Sequence, residues 1–333
     1  MTAQPTNPAD TTELCRQAIA GRRVALARLI SGIENGTVDL TQLCAAVYPR
    51  VGGAVRIGLT GPPGAGKSTM AGALARCLRA AGKSVAVLAV DPSSPLTGGA
   101  VLGDRVRMLD LPTGDGLFIR SLGARGHLGG LSARTLLTAD LLDAVGNDVV
   151  LIETVGVGQS EIEIAALADV TVVVLAPGFG DDVQGIKAGI LEVADVFVVN
   201  KADHPGARQL VGTLQALSRG PSGGKPVPVL ECVARDGRGV PELAALFDRE
   251  PRPAAAQALG ADRLGRMLRE LAADELRRRI GRLDEATLRR LAERLLSESA
   301  SADSLVDAVL DAARQPCHPA PAPDDQPGRA VRP

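Results

Sequence analysis

Tryptophan is missing from this 333-residue chain, tyrosine occurs once, and aromatic residues make up only 2% of it. Proteins that grip single-stranded nucleic acid stack its bases on aromatic rings, so a stacking platform is excluded. The formal net charge is −1, with both signs mixed along the chain, so no basic face for a polyanion is expected either. The five cysteines (Cys15, Cys44, Cys77, Cys232, Cys317) contain no CxxC pair, and His127, His204 and His318 lie far apart. That inventory builds neither a disulfide framework nor a zinc or nickel site, and it fits a reduced protein. No apolar run is long enough to span a bilayer, and the opening MTAQPTNPADTTE lacks the apolar core of a signal peptide. The expectation is a cytoplasmic protein with neither nucleic acid nor membrane as partner.

What is present is a change of texture along the chain. Asp10 and Glu13 form a candidate cap pair, and Leu14, Ile19, Leu26 and Ile30 recur at helical spacing to about Ser31. A second short helix is expected over Leu40–Tyr48, then a break from Pro49 to Gly53. From Ala54 onward short β-branched runs alternate with helical patterns: VRIGL (55–59), VAVLAV (85–90), VVLI (149–152), VTVVVLA (170–176), VFVV (196–199) and VPVL (227–230). These runs are apolar on both faces, as strands of a parallel sheet covered by helices must be. After a proline-rich joint, PRPAAA, Leu264, Leu268, Leu271, Ile280, Leu283, Leu288, Leu291 and Leu295 recur at helical spacing, and the RRR at 277–279 reads as a solvated helix face. The expected division is a helical extension over 1–50, an α/β nucleotide-binding domain over 51–250, a helical segment over 251–314, and a proline-rich disordered tail over 315–333.

GPPGAGKST, Gly61–Thr69, fits GxxxxGK[ST] between an expected strand and an expected helix, the context a phosphate-binding P-loop requires. Gly61, Pro62, Pro63, Gly64, Ala65 and Gly66 would turn backbone N–H groups toward phosphate oxygens, with Thr69 in the first turn of the helix. Lys67 would contact the β- and γ-phosphates, and Ser68 would ligate Mg²⁺. Three carboxylates are candidate further ligands. Asp91 closes VAVLAV and Glu153 closes VVLI, and the C-terminal ends of parallel strands share one rim with the P-loop. Asp104, in GDRVRM, is a ligand or an ordinary loop acid; spacing leaves both open. In ETVGVGQSE, Gly156 is expected near the γ-phosphate. Glu153 stands where Asp is usual, reaching the metal directly or through water. Val157 stands where many GTPases place a glutamine, and it cannot orient water by hydrogen bonding.

VFVVNKAD ends an apolar run in NKxD. Asn200 and Asp203 suit guanine, because a carboxylate can accept both the ring N1–H and the exocyclic amine, a donor pair that adenine lacks. Lys201 would lie along the base plane. The later ECVARDGRGV would supply a backbone contact to the guanine O6 near Cys232, Val233 and Ala234, with Cys232 packed rather than reactive.

The blocks GLTGPPGAGKST, AVDPSSPLTGGAVLGDRVRM, RGHLGGLS, ETVGVGQSE, PGFGDDVQGIKAGILEVADVFVVNKAD and DGRGV occur in this order, and over roughly residues 10–300 the chain resembles the MeaB-type GTPases of the SIMIBI class, also known as ArgK. The resemblance implies an α/β fold: a mainly parallel, doubly wound P-loop NTPase sheet with an N-terminal helical extension and a C-terminal helical dimerisation segment. It implies a GTPase using GTP/GDP and Mg²⁺, with Lys67, Asp104, Glu153 and Gly156 in the catalytic centre. It also implies a homodimer that acts as chaperone for an adenosylcobalamin-dependent acyl-CoA mutase, typically methylmalonyl-CoA mutase, and indirectly serves a cobalamin adenosyltransferase. Three mobile regions are implied near Asp91–Met108, Glu153–Glu163 and Pro177–Lys187. Asp104, Gln159 and Arg107 are candidates for positioning the reaction once a partner docks. The alternatives are a transport-associated ATPase or kinase, against which NKAD argues, and a metallochaperone GTPase, whose CxxC or His-rich tracts this chain lacks.

Overall fold

The computed structural model describes residues 8–91, 116–123, 133–154, 160–178, 189, 192–218 and 226–247, and toward the C-terminus 283–297, 306–311 and isolated positions from 265 to 281. The chain divides into two compact units, Met1–Met267 and Leu268–Pro333. The first unit is built on a seven-stranded sheet of order β3-β2-β4-β1-β5-β6-β7, in which every pairing is parallel. The strands are β1 (Val55–Thr60), β2 (Val85–Asp91), β3 (Leu117–Gly123), β4 (Val149–Glu153), β5 (Val170–Leu175), β6 (Val196–Val199) and β7 (Val229–Glu231). The helices between and around them are α4 (Lys67–Ala80), α5 (Ala133–Ala144), α6 (Ser160–Leu167), α7 (Ala207–Ser218) and α8 (Val240–Ala245). Ile57, Leu59, Val85, Val87, Leu151, Val172, Val174 and Val198 are buried under Met70 and Leu74 of α4 in one continuous core. This is the parallel, helix-covered sheet expected from the apolar runs, with the doubly wound P-loop NTPase architecture that the resemblance implied. Among the described residues no helix is long and apolar enough to cross a membrane.

Six of the strands fall on the apolar runs; β3 does not. Its sequence LFIRSLG carries Arg120 and Ser121 in the middle, and most of its residues are only half buried, because it is an edge strand paired on one side to β2. An exposed edge invites pairing with other chains unless it is covered. Here α2 (Arg23–Asn35) covers it: Arg23 donates to the Leu117 carbonyl, and Arg120 donates to the Glu34 carboxylate at 2.5 Å and the Ser31 hydroxyl at 2.9 Å.

The N-terminal extension is helical, but the stretch expected as one helix to Ser31 is two. α1 (Pro8–Ile19) begins before the Asp10–Glu13 pair, and Glu13 instead accepts from Arg16 and Gln17. Gly21 then takes a left-handed φ of 83°, which ends the helix before α2 starts. α3 (Leu40–Val47) is capped by the Asp39 carboxylate, which accepts from Gln42 N–H, and it runs into the 3₁₀ turn Tyr48–Arg50.

The N-terminal rim of the sheet is fastened by a repeated device. Asp169 N–H donates to the Arg56 carbonyl at 2.8 Å, and Arg56 N–H donates back to the Asp169 carboxylate at 2.9 Å. Asp195 and Thr171 form the same ring at 2.9 and 2.8 Å, and Asp148 and Ser84 form it at 2.9 and 2.6 Å. Each ring satisfies an N–H that the strand ladder leaves over. Beside them Asp143 accepts from the backbone N–H groups of Gly52, Gly53 and Ala54. Asp143 also lies 3.1 Å from the guanidinium of Arg56, which is 2.6 Å from Asp140. Tyr48 OH donates to the same Asp140. Arg56 is 1% exposed, and burial together with the Asp140 charge pushes the Tyr48 hydroxyl above its usual range.

In the second unit α9 (Glu285–Ser297) is the longest described helix. Asp284 caps it, its carboxylate accepting from Thr287 N–H at 2.6 Å.

Candidate functional site

β1 lies at the centre of the sheet, between β4 and β5, where chain direction across the sheet reverses. In open α/β sheets the crevice beyond the strand ends at such a point is where ligands bind. The P-loop leaves β1 there and turns into α4. Gly61 has φ 135°, and a Cβ there would sit 2.0 Å from the Val174 carbonyl oxygen of β5. Gly66 has φ 91°, and a Cβ there would sit 2.3 Å from Nδ2 of Asn200. Neither position admits a side chain. Lys67 is buried, and its ammonium donates to the Gly61 and Pro62 carbonyls at 2.8 and 3.1 Å, which places a cation under the loop. Pro63 and Gly64 are exposed at its crest, and Thr69 is exposed on the first turn of α4.

Ser68 and Glu153 are brought together: the hydroxyl donates to Glu153 Oε1 at 2.6 Å. Register explains the meeting, since Glu153 pairs with Leu59, the last-but-one residue of β1, and Ser68 lies one residue into the helix that follows. A hydroxyl and a carboxylate in contact are hard oxygen donors of the kind Mg²⁺ takes, so the residues present fit the metal. Thr154 holds the backbone after Glu153, its N–H donating to the Leu59 carbonyl and its hydroxyl to Thr60. Asp91 closes β2 two residues beyond Ala89, which pairs with Glu153, so it stands on the same rim; its side chain lies outside the described part. Asp104, Arg107, Gly156, Val157 and Gln159 also lie outside the described residues, as does most of 91–108 and 179–187.

On the base side Asn200 is buried and spans two loops. Its amide donates to the Ala65 carbonyl at 2.8 Å, and its carbonyl accepts from Ala234 N–H at 3.0 Å. It therefore joins the P-loop to the segment after β7. Lys201 takes a left-handed φ of 56°, an uncommon state for a residue with a Cβ that concentrates at functional sites. Its ammonium donates to the Gly64 carbonyl at 2.9 Å. The Asp203 carboxylate is 48% exposed, and Arg235 lies 3.8 Å from it.

Cys232 N–H donates to Val199, Val233 N–H to Arg238 and Ala234 N–H to Asn200. All three backbone donors expected to reach the guanine O6 are engaged within the protein. Cys232 is packed, as expected, and burial pushes its thiol up to about 11.

The family model described as methylmalonyl Co-A mutase-associated GTPase MeaB matches residues 26–282. The chain is 48% identical to a putative GTPase of Pyrococcus horikoshii over 69% of its own length and 74% of that protein. It is 43% identical to GTPase ArgK of Escherichia coli over 71% and 75%. It is 37% identical to the mouse mitochondrial methylmalonic aciduria type A homolog over 68% and 59%. Among solved structures, a LAO/AO transport system kinase superposes with a TM-score of 0.62 at 29% identity, covering 92% of this chain and 98% of that one. A P-loop with its lysine and serine in place, a carboxylate on the neighbouring strand and a match across most of the chain lead to one conclusion: this protein belongs to the MeaB family of mutase-associated GTPases, and it hydrolyses GTP with the help of Mg²⁺.

Proposed function

We propose that the chain is a G-protein chaperone of an adenosylcobalamin-dependent acyl-CoA mutase, methylmalonyl-CoA mutase first among them. In this role it gates cofactor loading and protects or reactivates its client. The observation that carries this reading is the match of residues 26–282 to a family named for its association with methylmalonyl-CoA mutase. The protein works as a homodimer through its C-terminal helical segment, whose α9 leaves Leu288 42% exposed.

Hydrolysis proceeds by in-line attack of water on the γ-phosphate. Lys67, held at the turn into α4, and the loop amides stabilise charge on the β–γ bridging and γ-oxygens. Ser68 and Glu153, with Asp91 and Asp104, are the residues that would hold Mg²⁺, which when bound neutralises charge on the β- and γ-oxygens. The Gly156 amide serves the γ-phosphate. Asp203 reads the guanine edge, while Asn200 fixes the loops on either side of it. With Val157 where a water-orienting glutamine would stand, intrinsic turnover is slow, and the docked client raises it by positioning Asp104, Gln159 or Arg107.

The test is a pull-down from native extract with the chain loaded with a non-hydrolysable GTP analogue. Recovery of a cobalamin-dependent mutase, and a GTPase rate that rises when that mutase is added, are expected. A fast intrinsic rate that the mutase leaves unchanged would overturn the reading.

A further inference from the structure

α6 packs against the central strand through a position that has no side chain. Gly58 of β1 is paired with Ile152 on one side and Thr171 on the other, and the buried Ile164 of α6 fills the space above it. A Cβ on Gly58 would sit 2.4 Å from Ile164 Cγ1 and 3.0 Å from the Ala168 Cβ. Its φ is not left-handed, so space and not backbone conformation calls for glycine here. The neighbouring residues of β1 hold the same stretch of chain by its backbone. The Thr154 N–H donates to the Leu59 carbonyl at 3.1 Å, and the Asp169 N–H donates to the Arg56 carbonyl at 2.8 Å. The chain from Thr154 to Asp169 thus starts and ends on β1, at Leu59 and Arg56, and between them Ile164 in the Gly58 notch sets how deep α6 lies. Gly156 belongs to this stretch, soon after Thr154, and β1 itself runs on into the P-loop at Gly61.

We propose that Gly58 is a positioning residue for GTP hydrolysis. By admitting Ile164 it fixes the depth of α6 on β1, and with it the approach of the Gly156 amide to the γ-phosphate. Carbon atoms in contact rest about 3.5–4.0 Å apart, so one methyl added at Gly58 drives α6 outward by about 1 Å. The anchors at Leu59 and Arg56 keep the two ends of the stretch in place, so the shift is taken up between them. An error of that size at a reacting group costs about 100-fold in rate. The guanine and the β-phosphate are served by Asp203 and the P-loop, which this stretch does not include. The proposal rests on Gly156 as the γ-phosphate contact.

The test reads single-turnover hydrolysis against binding. Gly58→Ala should slow hydrolysis about 10- to 100-fold. It should also lower the preference for a non-hydrolysable GTP analogue over GDP severalfold, while GDP affinity stays close to that of the parent. Unchanged hydrolysis, or an equal loss of GDP and analogue binding, would overturn the proposal. Ile164→Ala removes the atom that the new methyl meets, so the Gly58→Ala/Ile164→Ala pair should recover most of the lost rate. A pair as slow as Gly58→Ala would show that the notch does not act through α6. Where Gly58→Ala alone is too strained to fold, the pair carries the test: binding GDP and hydrolysing near the parent rate supports the fit, and binding GDP yet hydrolysing slowly sinks it. Gly156→Pro, which has no N–H, tests the underlying reading by itself. Normal hydrolysis in that variant removes Gly156 as the γ-phosphate contact, whereas slow hydrolysis there beside a normal Gly58→Ala removes only the seat proposed here.

Discussion

The two rims of the sheet are made from the same residue types and put them to opposite uses. At the N-terminal rim Asp143, Asp148, Asp169 and Asp195 spend their carboxylates on backbone N–H groups, and Arg56 is sealed between two of the chain's carboxylates. At the C-terminal rim Glu153 holds a serine hydroxyl and Asp203 keeps its oxygens half exposed. A carboxylate answered by fixed amides locks a strand in register. One answered by a rotatable hydroxyl or by solvent can exchange that partner for a ligand. The N-terminal rim therefore holds the strands through fixed partners, while the partners at the C-terminal rim are of the kind a ligand can replace.

Breaking this division should separate stability from turnover. Arg56→Ala leaves two buried carboxylates without their cation and should cost about 3–5 kcal/mol in urea unfolding, while GTPase activity per folded molecule persists. A loss of activity without a loss of stability would contradict the comparison. Lys67→Ala should do the converse. Turnover falls at least about 100- to 1,000-fold, as when a preorganised donor to the transition state is removed, with the urea midpoint nearly unmoved. Normal GTPase activity in that variant would take the P-loop out of the mechanism. Asp195→Ala opens one reciprocal ring and should cost about 1 kcal/mol, with nucleotide affinity unaltered. The smallest effect depends on pH. Hydrogen bonds from the Ser84 hydroxyl and N–H hold the Asp148 carboxyl below its ordinary range. A carboxyl depressed in the folded state stabilises above its unfolded value and loses that contribution as pH falls through the folded one. The deficit of Asp148→Ala should therefore be full at neutral pH and close on acidification below the usual carboxylate range.

The functional rim was more legible in the sequence than the locked one. Two-faced apolar runs announced a parallel sheet, and in a parallel sheet the ends of VRIGL and VVLI reach one rim, which is where Glu153 meets Ser68 at the start of the helix after the P-loop. β3 escaped because an edge strand needs only one well-covered side, and Arg120 interrupts its apolar run. The break at Gly21 escaped because helical spacing continues across it. The Asp-Val pairs at 148–149, 169–170 and 195–196 stand in plain view, but nothing local says that each aspartate answers the neighbouring strand. The partners of the Cys232, Val233 and Ala234 amides were not legible either, because they lie on Val199, Arg238 and Asn200, two of them far off in the sequence.

Asn200 joins the loop that surrounds the phosphates to the turn beside the base through a single side chain. On the proposed reading, the two halves of a nucleotide are therefore not felt independently. A phosphate chain that settles Ala65 also settles Ala234, and linkage requires the effect to run equally in the other direction. Guanosine should bind more tightly when pyrophosphate is present, and Asn200→Ala should erase that difference. Cleaving the terminal phosphate at one end of the crevice would then alter the grip at the other, so that the base end carries news of the reaction although no bond to it is broken.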